Sequence, residues 1–345
     1  IIIHSYTTKL PIHPMERYNI AVIAGGFSGE YAVSLRSAAG LLSWIDRSLF
    51  TPYLIVIERD GWYVRPDGEE TKEPILVDKC DFSFTLRGEH IKLDYALITV
   101  HGTPGENGLL QGYLDLVGVP YNTGGTLTEA LTFNKYYCNR YLSTYPNLRV
   151  ADSVRLLRNG ARPSSEELIK RLGLPLFAKP NAGGSSVATS KVESLEALDK
   201  AVALAFDECD EVLLERFIAG TEVTCGCYRI GDTITALPVT EVVPKNSFFD
   251  FEAKYNGAVE EITPARISPE LTALIQELTR EIYQHIDARG IIRVDYIIEA
   301  DGRPTLLEVN TTPGMTPTSF IPQQVKAAGL TMQDLLTDLI QDHLS

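Results

Sequence analysis

Two β-prone runs near the C-terminus, residues 291–300 and 303–310, flank Asp301-Gly302, and this hairpin constrains the chain more tightly than any other segment. Asp-Gly between apolar runs is a strong two-residue turn signal. Pairing Ala300 with Arg303 sets Asp295 opposite Glu308 and Arg293 opposite Asn310, and a four-residue loop keeps the same partners. Side chains alternate along a strand, so Arg293, Asp295, Glu308 and Asn310 share one face. Carboxylates placed opposite each other on a sheet repel unless something positive lies between them. Two readings stay open. The face can hold Mg²⁺, which takes hard oxygen ligands from one or two carboxylates and from nucleotide phosphates. Alternatively it is a solvated face on which Arg293 neutralises Asp295. After Asn310 comes Thr311-Thr312-Pro313-Gly314-Met315, a turn whose backbone amides can meet a substrate.

A second feature points to phosphate. Lys179-Pro180-Asn181-Ala182-Gly183-Gly184-Ser185-Ser186-Val187 sets a lysine at a strand end before a Gly-Gly-Ser-Ser loop. Glycines let backbone N–H groups turn toward an anion, hydroxyls add donors, and the lysine adds charge. The Gly-Lys-Ser/Thr order of a P-loop is absent. Together with the acidic hairpin, this loop predicts a Mg-nucleotide site.

At roughly 150 residues per domain, 345 residues suggest two or three domains. Lys and Arg number 31 against 45 Asp and Glu, a net charge of −14. So acidic a chain lacks the basic field for nucleic acid or an anionic membrane surface. No apolar run reaches the ~20 residues of a membrane span. Five scattered cysteines argue against a disulfide framework and for a reducing cytoplasm. Cys225 and Cys227 share a strand face without a nearby Cys/His cluster, so packing rather than zinc is expected.

Residues 1–14 read as a leader outside the fold. Apolar runs at 18–26, 53–57 and 95–100, with a helical pattern at 34–42 between them, imply a parallel sheet covered on both faces. In such a sheet the ligand crevice lies beyond the strand ends, at Gly25-Gly26 and His101-Gly102. Capping boxes at 126–129 and 164–167 open helices, the first running through Lys135 and Tyr141. Strands at 174–179, 212–217 and 221–230, with a tight turn at Gly231-Asp232, give the second half an α+β character.

These motifs, in this order, resemble the D-alanine–D-alanine ligases of the ATP-grasp superfamily. The match runs from about Tyr18 to the C-terminus. It takes in Gly25-Gly26-Phe27-Ser28-Gly29-Glu30 with Val33-Ser34-Leu35, and His101-Gly102 through Glu106-Asn107-Gly108 to Gln111-Gly112. It continues with the Lys179 loop, Asp250-Phe251-Glu252-Ala253-Lys254-Tyr255, Arg293-Val294-Asp295, and Leu307 through Met315. The fold class implied is α/β and α+β: an N-terminal Rossmann-like (pre-ATP-grasp) domain over 15–132, then a two-lobed ATP-grasp fold with lobes over 133–229 and 230–345.

The resemblance implies ATP-dependent ligation of two D-alanines through a D-alanyl phosphate, for peptidoglycan precursors in the cytoplasm, by a homodimer. It implies Glu30 on the first substrate's ammonium and His101 near its carboxylate. Lys135, Lys179, Ser185, Ser186 and Lys254 would serve the ATP phosphates. Glu215, Arg216 and Ile218 would read adenine, and Glu222 the ribose. Arg293 and the Gly314 amide would stabilise the tetrahedral oxyanion, and Ser319 would hold the second carboxylate. Asp295, Glu308 and Asn310 would bind Mg²⁺ or Mn²⁺, with two ions expected. Ser185 and Tyr255 would join Glu30 in closing a loop over the substrates. Tyr255 favours D-alanine over D-lactate as second substrate. Tyr31, Ala32 and Ala188 depart from the family pattern, at positions where basic, charged and glycine residues are common. Rivals are ligation of D-alanine to D-lactate or D-serine, and a nucleotide-binding module without turnover. Against the latter stand Glu30, Lys254, Arg293, Asp295, Glu308 and Asn310, all present.

Overall fold

The computed structural model describes residues 17–65, 74–184, 187–244 and 259–344. The expected leader lies outside the described residues, as do Ser185, Ser186, Lys254 and Tyr255.

The chain opens with β1 (Tyr18–Gly25), α1 (Tyr31–Trp44), β2 (Phe50–Ile57), β3 (Trp62–Arg65), β4 (Ile75–Leu76), β5 (Ser83–Leu86), β6 (Glu89–Lys92) and β7 (Tyr95–Ile98). One sheet has the order β4-β3-β2-β1-β7, with β1 parallel to both neighbours, as the continuous apolar runs predict. Ile20, Val22, Ile55 and Leu97 are buried in its centre. The edge strands β3 and β4 are antiparallel, and β5 and β6 form a separate hairpin.

Three helices follow: α2 (Leu109–Val117), α3 (Thr126–Phe133) and α4 (Lys135–Leu142). The capping box expected at Thr126 does not form. Gly125 is the N-cap, and Glu129 turns inward instead of back on the helix start. The single helix expected through Tyr141 is broken at Asn134, whose extended backbone (φ −91°, ψ 97°) ends α3 and whose side chain caps α4. Asn favours caps because its side-chain oxygen satisfies an N–H that the helix leaves open.

The central unit comprises β8 (Ser153–Leu157), α5 (Ser165–Leu172), β9 (Leu176–Pro180), β10 (Ser190–Val192), α6 (Leu195–Glu208) and β11 (Glu211–Arg216), in an antiparallel sheet of order β10-β9-β11-β8. Here the Ser164–Glu167 capping box is complete, with both reciprocal hydrogen bonds made. The last unit holds β12 (Thr221–Ile230), β13 (Thr233–Ala236), β14 (Thr240–Pro244), β15 (Val259–Ile262), α7 (Pro269–His285), β16 (Ile291–Ile298), β17 (Pro304–Asn310), α8 (Phe320–Ala327) and α9 (Met332–Leu344). Its sheet runs β15-β14-β12-β16-β17 with β13 paired to β12. Since β12 pairs with β16 from Thr221 to Tyr228, this sheet begins ahead of residue 230. Cys225 and Cys227 are buried in its core as packing residues. Helix α9 returns to the first sheet, where Leu335, Leu336, Leu339 and Ile340 join Ile20, Val22 and Leu97 in one cluster. Among the described residues, no helix is long and apolar enough to cross a membrane.

The β16–β17 hairpin reaches its expected register by an unexpected route. Near the turn Ile298 pairs with Pro304, and the Glu299 N–H donates to the Arg303 carbonyl, one residue off the expected pairing. A bulge between Asp295 and Tyr296 then shifts the ladder back. Beyond it Asp295 faces Glu308 and Arg293 faces Asn310, as predicted. A left-handed Gly302 (φ +77°) and a one-residue bulge are the usual means by which such an offset is absorbed.

Candidate active site

The far end of this hairpin builds the floor of the site. Arg293 grips Asp295 with a fork, Nε to Oδ1 at 2.9 Å and Nη2 to Oδ2 at 2.8 Å, their side chains 15 % and 12 % exposed. Asn310 Nδ2 donates to Asp295 Oδ2 at 3.0 Å, and the Thr224 hydroxyl from β12 donates to Oδ1 at 2.5 Å. Of the two sequence readings, the Arg293–Asp295 pairing is observed, but inside the protein rather than on a solvated face. Burial by itself would lower the Arg293 pKa, yet Asp295, Glu308 and Glu222 outweigh it and hold the guanidinium charged. Arg293 also lies over the Phe320 ring, 5.3 Å from its centroid, at the start of α8.

No cluster of three or more His, Cys, Asp or Glu side chains is arranged to hold a metal among the described residues. Asp295, Glu308 and Asn310 instead offer two carboxylates and an amide from facing strands. That donor set fits a Mg²⁺ ion that completes its shell with phosphate oxygens, and does not fit an all-protein cage.

The loops beyond β1 and β7 form one wall. Glu30 occupies the N-cap position of α1, but its side chain makes no capping bond. Its carboxylate instead lies under the glycine turn of the central unit, because a Cβ on Gly184 would stand 2.3 Å from Glu30 Oε2. His101 is buried, with Nε2 3.4 Å from the Ser37 hydroxyl, and Ser37 Oγ accepts from the Met315 N–H at 3.2 Å. One serine of α1 thus ties His101 to the turn after β17. Ser319 Oγ accepts from the Thr316 N–H at 3.1 Å and lies 3.0 Å from a Cβ placed on Gly314, so the two expected substrate contacts are adjacent.

The central unit supplies the opposite wall. Lys179 Nζ donates to Glu215 Oε2 at 2.7 Å, and Asn139 Nδ2 donates to the other oxygen at 3.3 Å. Lys135 Nζ donates to the Gly183 carbonyl at 2.6 Å, which puts the second lysine on the glycine turn. Arg216 and Ile218 follow Glu215 along the edge, with Arg216 Nε 3.9 Å from Asp152 Oδ2 and Ile218 buried. Glu222 on β12 contributes to the field at Arg293. Ala188, where glycine is common in the family pattern, adopts a left-handed φ of +53°, a conformation that L side chains enter at a cost of about 1–2 kcal/mol.

Two further carboxyls of the site, half-buried Glu106 and fully buried Glu129, had no role at the site in the sequence reading. Glu106 accepts from the Gly102 N–H at 2.6 Å and so fixes the loop that carries His101. Glu129 accepts from the Thr311 hydroxyl at 2.5 Å, beside Asn310. Burial pushes Glu106 up to about 8, against the Gly102 hydrogen bond, with Glu30 and Glu308 adding to the rise. Burial likewise holds Glu129 well above the usual range. Burial lowers the His101 pKa despite the nearby Glu30, which keeps the imidazole neutral. For a carboxyl whose folded pKa is raised, the native state binds more protons than the unfolded chain between the two values, so stability is lost as pH rises through that window. Thermal midpoints should therefore fall from about pH 5 to about pH 8. In Glu106→Gln, which keeps the acceptor for Gly102, the fall should be shallower; parallel curves for the two proteins would contradict the raised pKa.

The family model for the D-ala D-ala ligase N-terminus matches residues 19–124, and that for the C-terminus matches 145–341. A D-alanine–D-alanine ligase of Porphyromonas gingivalis is 62 % identical over 331 residues, spanning 96 % of this chain and 99 % of its own length. That of Parabacteroides distasonis is 55 % identical over 327 residues, with 94 % and 97 % covered. Among solved structures, the VanG D-Ala:D-Ser ligase of Enterococcus faecalis aligns at a TM-score of 0.84 and 34 % identity, covering 95 % of this chain and all of that one, 100 %. D-alanyl-alanine synthetase A of Vibrio cholerae aligns at a TM-score of 0.84 and 25 % identity, covering 96 % and 99 %. The expected Rossmann-like unit and two-lobed ATP-grasp fold stand on these matches. Sharing more than half of its residues with such ligases along nearly its whole length, the chain belongs to the D-alanine–D-alanine ligase family.

Proposed function

We propose that the chain is an ADP-forming ligase that uses ATP to join two D-alanines into D-alanyl-D-alanine for peptidoglycan precursors. The observation that carries this reading is the convergence of Glu30, set against the Gly183-Gly184 turn that holds Lys135, with Arg293 and Glu308 in one electrostatic neighbourhood around His101 and Glu106. In the first step an oxygen of the first D-alanine carboxylate attacks the γ-phosphorus, and the bond to ADP breaks. In the second the amine of the other D-alanine attacks the acyl carbonyl and loses a proton, and phosphate leaves. Glu30 would hold the first ammonium, with neutral His101 donating near its carboxylate. Lys135 and Lys179 would meet the phosphates, Glu215, Arg216 and Ile218 the adenine, and Glu222 the ribose. Arg293 with the Gly314 N–H would stabilise the oxyanion, where preorganised donors act most strongly, and Ser319 would bind the second carboxylate. Ser185, Ser186, Lys254 and Tyr255 keep the roles the resemblance implies, on residues outside the described ones. Mg²⁺ or Mn²⁺, as two ions on Asp295, Glu308 and Asn310, would neutralise phosphate charge.

We further propose three units: a substrate domain over 15–132, a central lobe from 133, and a last lobe whose sheet begins with β12. A homodimer through the first of these is supported by Leu109, Leu116 and Leu127, which are 63 %, 88 % and 80 % exposed on α2 and α3. The cytoplasm is proposed because ATP is the substrate and all five cysteines are unpaired. D-alanine is favoured over D-serine or D-lactate at the second position because the relatives at 50–62 % identity carry the D-alanine–D-alanine name.

Phosphate release from MgATP should require D-alanine, and mass analysis should find D-alanyl-D-alanine as the main product even with D-lactate or D-serine present. A mixed product as the main species would overturn the choice of second substrate. ATP binding without release under any of these conditions would favour the binding-module reading. Sedimentation should give a dimer, and a monomer at working concentration would remove that part of the proposal.

A further inference from the structure

Asn181 lies in the loop after β9, two residues beyond Lys179, and is fully buried. Its polar groups are all engaged. Nδ2 donates to Asn134 Oδ1 at 2.9 Å and to Glu211 Oε2 at 2.6 Å, and Oδ1 accepts from the Tyr136 N–H at 2.8 Å. Its backbone carbonyl accepts from the Lys135 N–H at 3.0 Å, and its own N–H donates to the Glu211 carbonyl at 3.0 Å. An isolated bridge between Asn134 and Ala182 completes the junction.

These bonds amount to a helix cap supplied from another element. The first N–H groups of a helix have no intrahelical partner. At α4 the N–H groups of Lys135 and Tyr136 are taken by Asn181 and that of Tyr137 by Asn134. The start of α4 therefore does not turn its own donors toward an anion. What it presents is the Lys135 side chain, whose Nζ is held 2.6 Å from the Gly183 carbonyl of the same loop. Lys135 and Lys179 sit on different elements, and Asn181 is the residue that joins those elements through side chain and backbone at once.

We infer that Asn181 is a positioning residue for the triphosphate: it fixes the start of α4 against the glycine turn, and so sets the spacing between Lys135 and Lys179. This rests on the proposal that the two lysines meet ATP. Preorganised charges bind without first paying to order a loop, so loosening the junction should weaken nucleotide binding far more than D-alanine binding, which meets this turn only where Glu30 lies against Gly184. An amide can do this where a carboxylate cannot, because two of its bonds are donated. Asp at 181 would keep the acceptor for Tyr136 but face Glu211 and Asn134 Oδ1 with no hydrogen to offer.

The test measures KM for ATP at saturating D-alanine, KM for D-alanine at saturating ATP, and ADP affinity by calorimetry. Losing one buried hydrogen-bonding group is worth about tenfold in binding. Asn181→Ala and Asn181→Asp should raise KM for ATP and Kd for ADP by that order, with KM for D-alanine within about twofold. Adding Glu211→Gln to Asn181→Asp returns a donor to the pair and should recover part of the loss. Should Asn181→Ala not fold, the comparison of Asn181→Asp with its Glu211→Gln partner carries the same reading. Unchanged ATP and ADP constants in the folded variants, or equal rises in both KM values, would overturn the inference. A wild-type protein that neither binds ADP nor releases phosphate would instead overturn the nucleotide reading on which it rests.

Discussion

Arg293 stands in a region largely closed to water, locked to Asp295 by two hydrogen bonds of 2.9 and 2.8 Å. Removing either partner alone would strand a buried charge, a change that typically costs about 3–5 kcal/mol. That pairing explains how a sheet can carry Asp295 directly across from Glu308. It also fixes the guanidinium where Phe320, Asn310 and the turn after β17 converge. The N-terminal loops bring Glu30 and His101 into its neighbourhood, since the charges of Glu30 and Arg293 both act on the His101 ring.

The acidic groups nearby divide into two kinds. Asp295 and Glu308 face each other across the hairpin, with the Arg293 guanidinium forked onto Asp295. Glu106 is half-buried and Glu129 fully buried, and desolvation raises both pKa values, at Glu106 against the pull of Lys135. Each accepts a hydrogen bond that props the site, Glu106 from the Gly102 N–H in the loop of His101 and Glu129 from the Thr311 hydroxyl.

Much of this arrangement could be read from the chain because its central parts are local. The hairpin register follows from strand alternation and one turn, and the parallel sheet from continuous apolar runs. Even so, the register was correct through two offsets that cancel, a turn one residue wider and a bulge before Tyr296. Where the deciding contact is distant in sequence, local pattern misled. Thr126-Leu127-Thr128-Glu129 has the spacing of a capping box, but burial against Thr311 of another unit claims Glu129. Asn134 breaks what reads as one helix because its partner, Asn181, lies 47 residues away. Ser37 carries no motif signal because its bond to Met315 is distant in sequence, and Asn181, although inside a matched loop, takes its role from the distant Asn134 and Glu211. The roles of Ser185, Ser186, Lys254 and Tyr255 rest on motif resemblance alone.

In the proposed function the strand-end carboxylates serve a metal–nucleotide complex rather than merely balancing Arg293. Mn²⁺ binding, followed by electron paramagnetic resonance in the presence of a non-hydrolysable ATP analogue, tests this most directly. Wild-type protein should bind Mn²⁺ together with the analogue, and Glu308→Gln should lose that binding while its circular dichroism spectrum stays native. Equal Mn²⁺ binding by both proteins would contradict the assignment of Asp295, Glu308 and Asn310 as the metal site.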